Sequence, residues 1–103
     1  MKKFSFKGNP GVICGKENNK GLFIRKTVFP VGYSEDRDHH HPNSFEFYLI
    51  LRGRLKFSTK EKSLTASEGS LVYFEKAEPH RIIKVTKEAE AILLKKLGAT
   101  KSE

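Results

Sequence analysis

One carboxylate set in a run of strand formers constrains this chain more than any other feature. Glu46 stands within Phe45-Glu46-Phe47-Tyr48-Leu49-Ile50-Leu51, whose other members are all aromatic or aliphatic. Side chains alternate along a strand, so Glu46, Tyr48 and Ile50 share one face and Phe45, Phe47, Leu49 and Leu51 the other. Both faces are apolar, so both are expected to be covered. One would face the interior with the carboxylate; the other needs a second layer, which a subunit interface can supply. Taking a carboxylate out of water is costly, and a cation is one of the few partners that compensates it. Just upstream lies His39-His40-His41, and His80 opens a further apolar run. Neutral imidazole is a common ligand for transition-metal ions. On an extended segment His39 and His41 face the same way, about 6–7 Å apart at their Cα atoms, while His40 faces outward.

The rest of the chain reads as many short strands separated by turns. Strand-like runs span Leu22 to Phe29, Phe45 to Leu51, Leu55 to Thr59, Leu64 to Ala66, Ser70 to Phe74 and Arg81 to Thr86. Pro30-Val31-Gly32, Gly53, Ser67-Glu68-Gly69 and Glu78-Pro79 punctuate them, and Gly8-Asn9-Pro10-Gly11 and Lys16 to Gly21 read as turns. This spacing predicts a β-sandwich or barrel. Lys87 to Leu97 conflicts with it, being rich in helix formers and followed by Gly98, a plausible helix C-cap. Closure of an all-β fold requires Ala91 to Leu97 as a final strand, and the strand is the expectation. Residues 1–103 make one domain, with a barrel core at about 22–97 and a loose tail at 98–103.

A formal charge of +8 and a pI near 9.7 raise the question of nucleic acid. The basic residues are spread along the chain among acids, and the densest run, Arg52 to Lys56, reads as two sides of a turn. A nucleic-acid partner is therefore not expected; a positive field can instead steer an anionic small molecule. No apolar stretch approaches the ~20 residues that span a bilayer, so no membrane association is expected. The N-terminus lacks the apolar segment of a secretory signal, and a cytoplasmic location is expected. Cys14 is the sole cysteine, which excludes an intrachain disulfide and a cysteine-rich zinc site.

The histidines and glutamate fall in a pattern that resembles the cupin family. Its first motif, G-x5-H-x-H-x(3,4)-E-x6-G, is met by Gly32, His39, His41, Glu46 and Gly53, with one extra residue in the first gap. The second, G-x5-P-x-G-x2-H-x3-N, is met at Gly69 and His80. Glu75 stands for its proline, Ala77 for its glycine and Lys84 for its asparagine. These departures fall at turn and supporting positions and put the turn geometry in question. The resemblance implies an all-β fold, a cupin-type double-stranded β-helix (jelly-roll) barrel. It also implies one divalent transition metal (Mn, Fe, Ni, Cu or Zn) held by His39, His41, Glu46 and His80, with open positions for water or substrate.

Each residue also has a plainer reading. The histidine triplet can be a solvated loop, Glu46 can reach water at a strand end, and His80 can be a core histidine on a backbone carbonyl. Asp36 and Asp38 read as turn acids. Tyr48 shares Glu46's face and is a candidate for substrate contact or catalysis. Arg25, on the preceding strand, and Lys84, by its parity with His80, are candidates to hold an anionic substrate or to be solvated cations. The leading expectation is a metal-dependent enzyme on a small metabolite, working by oxygen-dependent oxidation or cleavage or by isomerisation, and assembled as a homodimer. The alternative is a non-catalytic binding or sensing module that uses the metal as an anchor.

Overall fold

The structure is a computed structural model in which residues 1–15, 21–39, 44–60 and 62–97 are described. Expectations for His40, His41, the turn at 16–20 and the tail at 98–103 lie outside those residues. Every regular element among the described residues is a strand: β1 (Gly11–Cys14), β2 (Gly21–Phe29), β3 (Ser44–Thr59), β4 (Ser63–Ser67), β5 (Leu71–Phe74) and β6 (His80–Leu97). All pairings are antiparallel, in the order β1-β2-β6-β3-β4, with β5 also paired to β3. Among the described residues no helix is long and apolar enough to cross a membrane.

Two long strands organise the fold. β6 runs beside β3 from Ser44↔Leu97 to Thr59↔His80, and its C-terminal half also pairs with β2 through Phe29↔Ala89. Its N-terminal half is bonded on the other edge by the segment after β2. Gly32 N–H donates to Val85 O, Glu35 N–H to Ile82 O, and His39 and His80 exchange both backbone bonds. The expected strand over Ala91 to Leu97 is therefore present, and Lys87 to Ala91 extends it. Ladders on both sides outweigh helix propensities of tenths of a kcal/mol per residue.

Both long strands bend where their register slips, between Ile50 and Phe57 of β3. Gly53 lies in this bend with φ of +88°, and a Cβ there would run into the Glu88 carbonyl. The bend closes the sheet around Ile50, Leu55, Phe57, Ala66, Phe74, Ile82, Val85 and Ala89, all buried. Inward and outward faces follow the expected parity: Ser44, Glu46, Tyr48 and Ile50 are buried, and Phe45, Phe47, Leu49 and Leu51 are half-buried on the outside. Part of that outer face is covered by the N-terminal segment. The Lys26 ammonium donates to Phe6 O at 2.6 Å and Gly8 O at 2.9 Å and pairs with Glu90 at 3.4 Å.

Candidate functional site

Register brings the site together. Glu46 on β3 lies directly opposite Phe74 of β5 on one side and Lys95 of β6 on the other. All three are buried, as is His80 at the start of β6. The Phe74 ring stacks on the His80 imidazole at 3.9 Å and an interplanar angle of 9°. That plate holds the ring so that His80 Nε2 lies 2.5 Å from Glu46 Oε1. The other carboxylate oxygen, Oε2, is 3.5 Å from Lys95 Nζ.

Glu46 stands on the wall of a cavity of about 280 Å3, with Tyr48 beside it. Arg25, Thr27 and Phe29 of β2, Ala91, Leu93 and Lys95 of β6, and Tyr33, Glu35 and His39 of the β2–β3 connection complete the lining. Arg25 is exposed and lines this cavity. Lys84, expected on the same face as His80, is exposed on the outside and does not line the cavity. Between Phe57↔Ile82 and Lys56↔Lys84, β6 advances by one residue more than β3; this bulge turns Lys84 outward to face Lys56.

Two charged residues that the sequence did not single out complete the site. Glu35 Oε1 accepts the Ile82 N–H at 2.8 Å, Oε2 accepts the Tyr33 hydroxyl at 2.8 Å, and His39 Nε2 lies 3.4 Å from Oε1. Burial first, then Glu35 as hydrogen-bond acceptor and as charge, pushes the Tyr33 phenol up to about 12. The other is Lys95, whose inward place follows from alternation with Ala91 and Leu93 once Lys87 to Leu97 is a strand. Asp38 pairs with Arg81 at 3.7 Å, as a surface acid of the loop.

The residues present fit a bound cation. His80 Nδ1 lies 2.9 Å from Glu78 O, and a carbonyl can only accept, so Nδ1 carries the hydrogen. In a neutral ring Nε2 then turns a lone pair toward the Glu46 carboxylate at 2.5 Å. Two lone pairs at that distance demand positive charge, which a proton between them supplies; a metal ion held by both groups would need them to part to roughly 3 Å, as neighbouring ligands about 2.0–2.2 Å from one ion do. Burial alone pulls the His80 pKa down, but the Glu46 carboxylate, the Glu78 carbonyl and the more distant Glu35 together raise it above its ordinary value. A ligating histidine held by a backbone carbonyl through its other nitrogen is a common metal arrangement. His39 lies with its ring centroid 6.3 Å from that of His80, and its Nε2 is turned to Glu35. Among the described residues no three His, Cys, Asp or Glu side chains converge into a metal-binding group, and His41 lies outside them.

The fold is found in many solved proteins. The DMSP lyase DddQ from Ruegeria pomeroyi matches with a TM-score of 0.74 at 20% identity, covering 95% of this chain and 49% of that one. This chain thus spans about half the length of that lyase. A predicted oxalate decarboxylase from Thermotoga maritima matches with a TM-score of 0.73 at 25% identity, covering 85% and 78% of the two chains. An RmlC-like cupin with a double-stranded β-helix fold from Methanocaldococcus jannaschii gives 0.70 at 16%, covering 95% and 91%. No curated protein sequence matches. The family model described as "Cupin domain" matches residues 25–95, from the Arg25 that lines the cavity to the Lys95 opposite Glu46. The chain belongs to the cupin family.

Proposed function

We propose that the cavity is a metal-dependent active site for a small anionic metabolite. Glu46 and His80 hold one divalent transition ion, with His39 and His41 as the further ligands. One observation carries this reading: a buried imidazole nitrogen, its tautomer set by Glu78 O, faces a buried carboxylate oxygen at 2.5 Å beside a cavity. When bound, the ion supplies Lewis acidity to a coordinated substrate oxygen.

The chain's own groups do the rest. A volume of about 280 Å3 admits a small metabolite. Arg25 offers a guanidinium fork suited to a carboxylate or phosphate. Tyr48, Leu93 and Phe29 form the less polar wall. Glu35 orients both Tyr33 and His39, and the raised Tyr33 pKa keeps its phenol a hydrogen-bond donor throughout the neutral range. The similar structures are named for a lyase and a predicted decarboxylase, two reactions at 25% identity or below. Oxidative cleavage, isomerisation, lyase chemistry and decarboxylation are all open to such a site, and a substrate screen must choose among small carboxylates and phosphates.

Elemental analysis of untagged protein, purified without a metal column, tests the site. About one equivalent of Mn, Fe, Ni, Cu or Zn is expected on the wild type, falling to background in a Glu46→Gln, His80→Ala double variant that keeps its β-sheet spectrum. Metal should also leave on acidification through the imidazole range, around pH 6.5 and below. Equal metal on wild type and double variant would overturn the assignment.

A further inference from the structure

The metal reading leaves one buried group unused. Lys95 is 2% exposed, and its ammonium lies 3.5 Å from Oε2 of Glu46, the same carboxylate whose Oε1 meets His80. The contact is built into the sheet, because Lys95 and Glu46 are direct cross-strand neighbours on the inner face. On its other side Lys95 is paired with Phe23 of β2, whose ring lies 5.8 Å from Nζ. An ammonium so withdrawn from water is held by its carboxylate and cannot easily swing into solvent.

We propose that Lys95 is an internal counter-cation that shares Glu46 with the metal, keeping the metal-free pocket folded and holding metal affinity down. This rests on the metal reading of Glu46 and His80. Without an ion, the Glu46 carboxylate keeps the Lys95 ammonium at Oε2, with the His80 ring against Oε1. The barrel then carries no uncompensated buried carboxylate and does not depend on metal to fold. A divalent ion held by Glu46 and His80 would lie one carboxylate away from a fixed ammonium, in surroundings with little water to screen it. The two cations draw on the same carboxylate charge, and each lowers the affinity of the site for the other. The consequence is a centre that exchanges its metal more readily than its ligand set alone would allow. An anionic substrate entering the cavity past Arg25 meets Lys95 on the same wall and can relieve that repulsion.

The test is metal affinity, read without any substrate. Untagged wild type, Lys95→Met, Lys95→Gln and Lys95→Arg are stripped with chelator, and their affinities for Mn2+ and Zn2+ are measured by competition with a chromophoric chelator. Lys95→Met and Lys95→Gln should bind both ions at least tenfold more tightly, whereas Lys95→Arg should stay within about threefold of wild type. Thermal melting adds a second readout: the Met and Gln variants should melt lower than wild type when stripped and gain more on metal addition. Unchanged or weaker binding by both neutral variants, with wild type still binding metal, overturns the role of Lys95 and leaves the metal site standing. If wild type and all variants take up neither ion, the metal reading itself fails, and this inference with it. The glutamine variant keeps a polar group at the site if the methionine variant does not fold.

Discussion

Ala77 adopts φ of 60°, the one non-glycine residue with a positive φ among the described residues. It sits where the second cupin motif has a glycine, the residue that adopts such a conformation most easily. For an L-residue this conformation costs roughly 1–2 kcal/mol. Glu75, at the motif's proline position, also compensates. Its N–H donates to the Glu78 side chain at 3.0 Å, and its carbonyl accepts the Glu78 N–H at 3.2 Å. Two hydrogen bonds thus close a turn that a proline would have stiffened by its ring. The turn matters to the site because Glu78 O is the acceptor that sets the His80 tautomer. Ala77 is exposed, so replacing it removes no packing. Ala77→Gly should relieve the strain and give back roughly 0.5–1 kcal/mol to chain entropy. The net expectation is a stabilisation of up to about 1 kcal/mol, seen as a higher urea midpoint with unchanged slope. A destabilised glycine variant would show that the turn is not under strain.

At the scale of elements, the bend shared by β3 and β6 decides which side chains can meet. Gly53 permits it, since its φ is positive and a Cβ would strike the Glu88 carbonyl, which is backbone and cannot step aside. Gly53→Ala should cost about 3 kcal/mol or more in denaturant unfolding. It should also weaken metal binding, because the same bend carries His80 back to Glu46. A loss below about 1 kcal/mol would mean that the bend has freedom this geometry does not allow. Much of this was legible in the sequence. Alternation in Phe45 to Leu51 placed Glu46 and Tyr48 inward, and the spacing from Gly32 to Gly53 carried the family resemblance. Lys84 was misplaced because a bulge at Ile83 leaves no sign in composition, and parity arguments fail across it. Lys95 and Glu35 were missed for different reasons. The helix-forming character of Lys87 to Leu97 hides a two-residue period that only pairing with β2 and β3 enforces. Glu35 lies in a connection whose acids look alike until one of them meets the backbone of β6 at Ile82.

For the whole molecule, the outer face of the sheet asks for a second copy. Leu71 is 61% and Tyr73 42% exposed, and they flank Phe45, Phe47 and Leu49. Two shallow apolar hollows of about 420 and 400 Å3 lie on this face, one lined by Phe45, Phe47, Tyr73 and Lys96, the other by Phe47, Leu49, Leu71, Ile92, Leu94 and the Phe6 that partly fills it. The face is more apolar than the cavity side, where Arg25, Glu35, Glu46 and Lys95 share the lining with apolar groups, and a contiguous apolar area of this kind is a candidate association surface. The expected state is a homodimer joined through β3, β5 and β6, giving about twice the monomer mass in sedimentation at micromolar concentration. Leu71→Glu, at a site too exposed to contribute much to the core, should leave melting of the monomer within about 0.5 kcal/mol and yet shift the mass toward one chain. Salt supplies a sign that separates this surface from an electrostatic one. Each copy carries a formal charge of +8, and Lys76 and Lys96 border the apolar area, so two copies repel as they meet. Raising ionic strength from low values to about 0.15 M screens that repulsion and should tighten the dimer. Association that weakens with salt, or a wild type that remains monomeric at about 100 μM, would place the second layer of this sheet elsewhere.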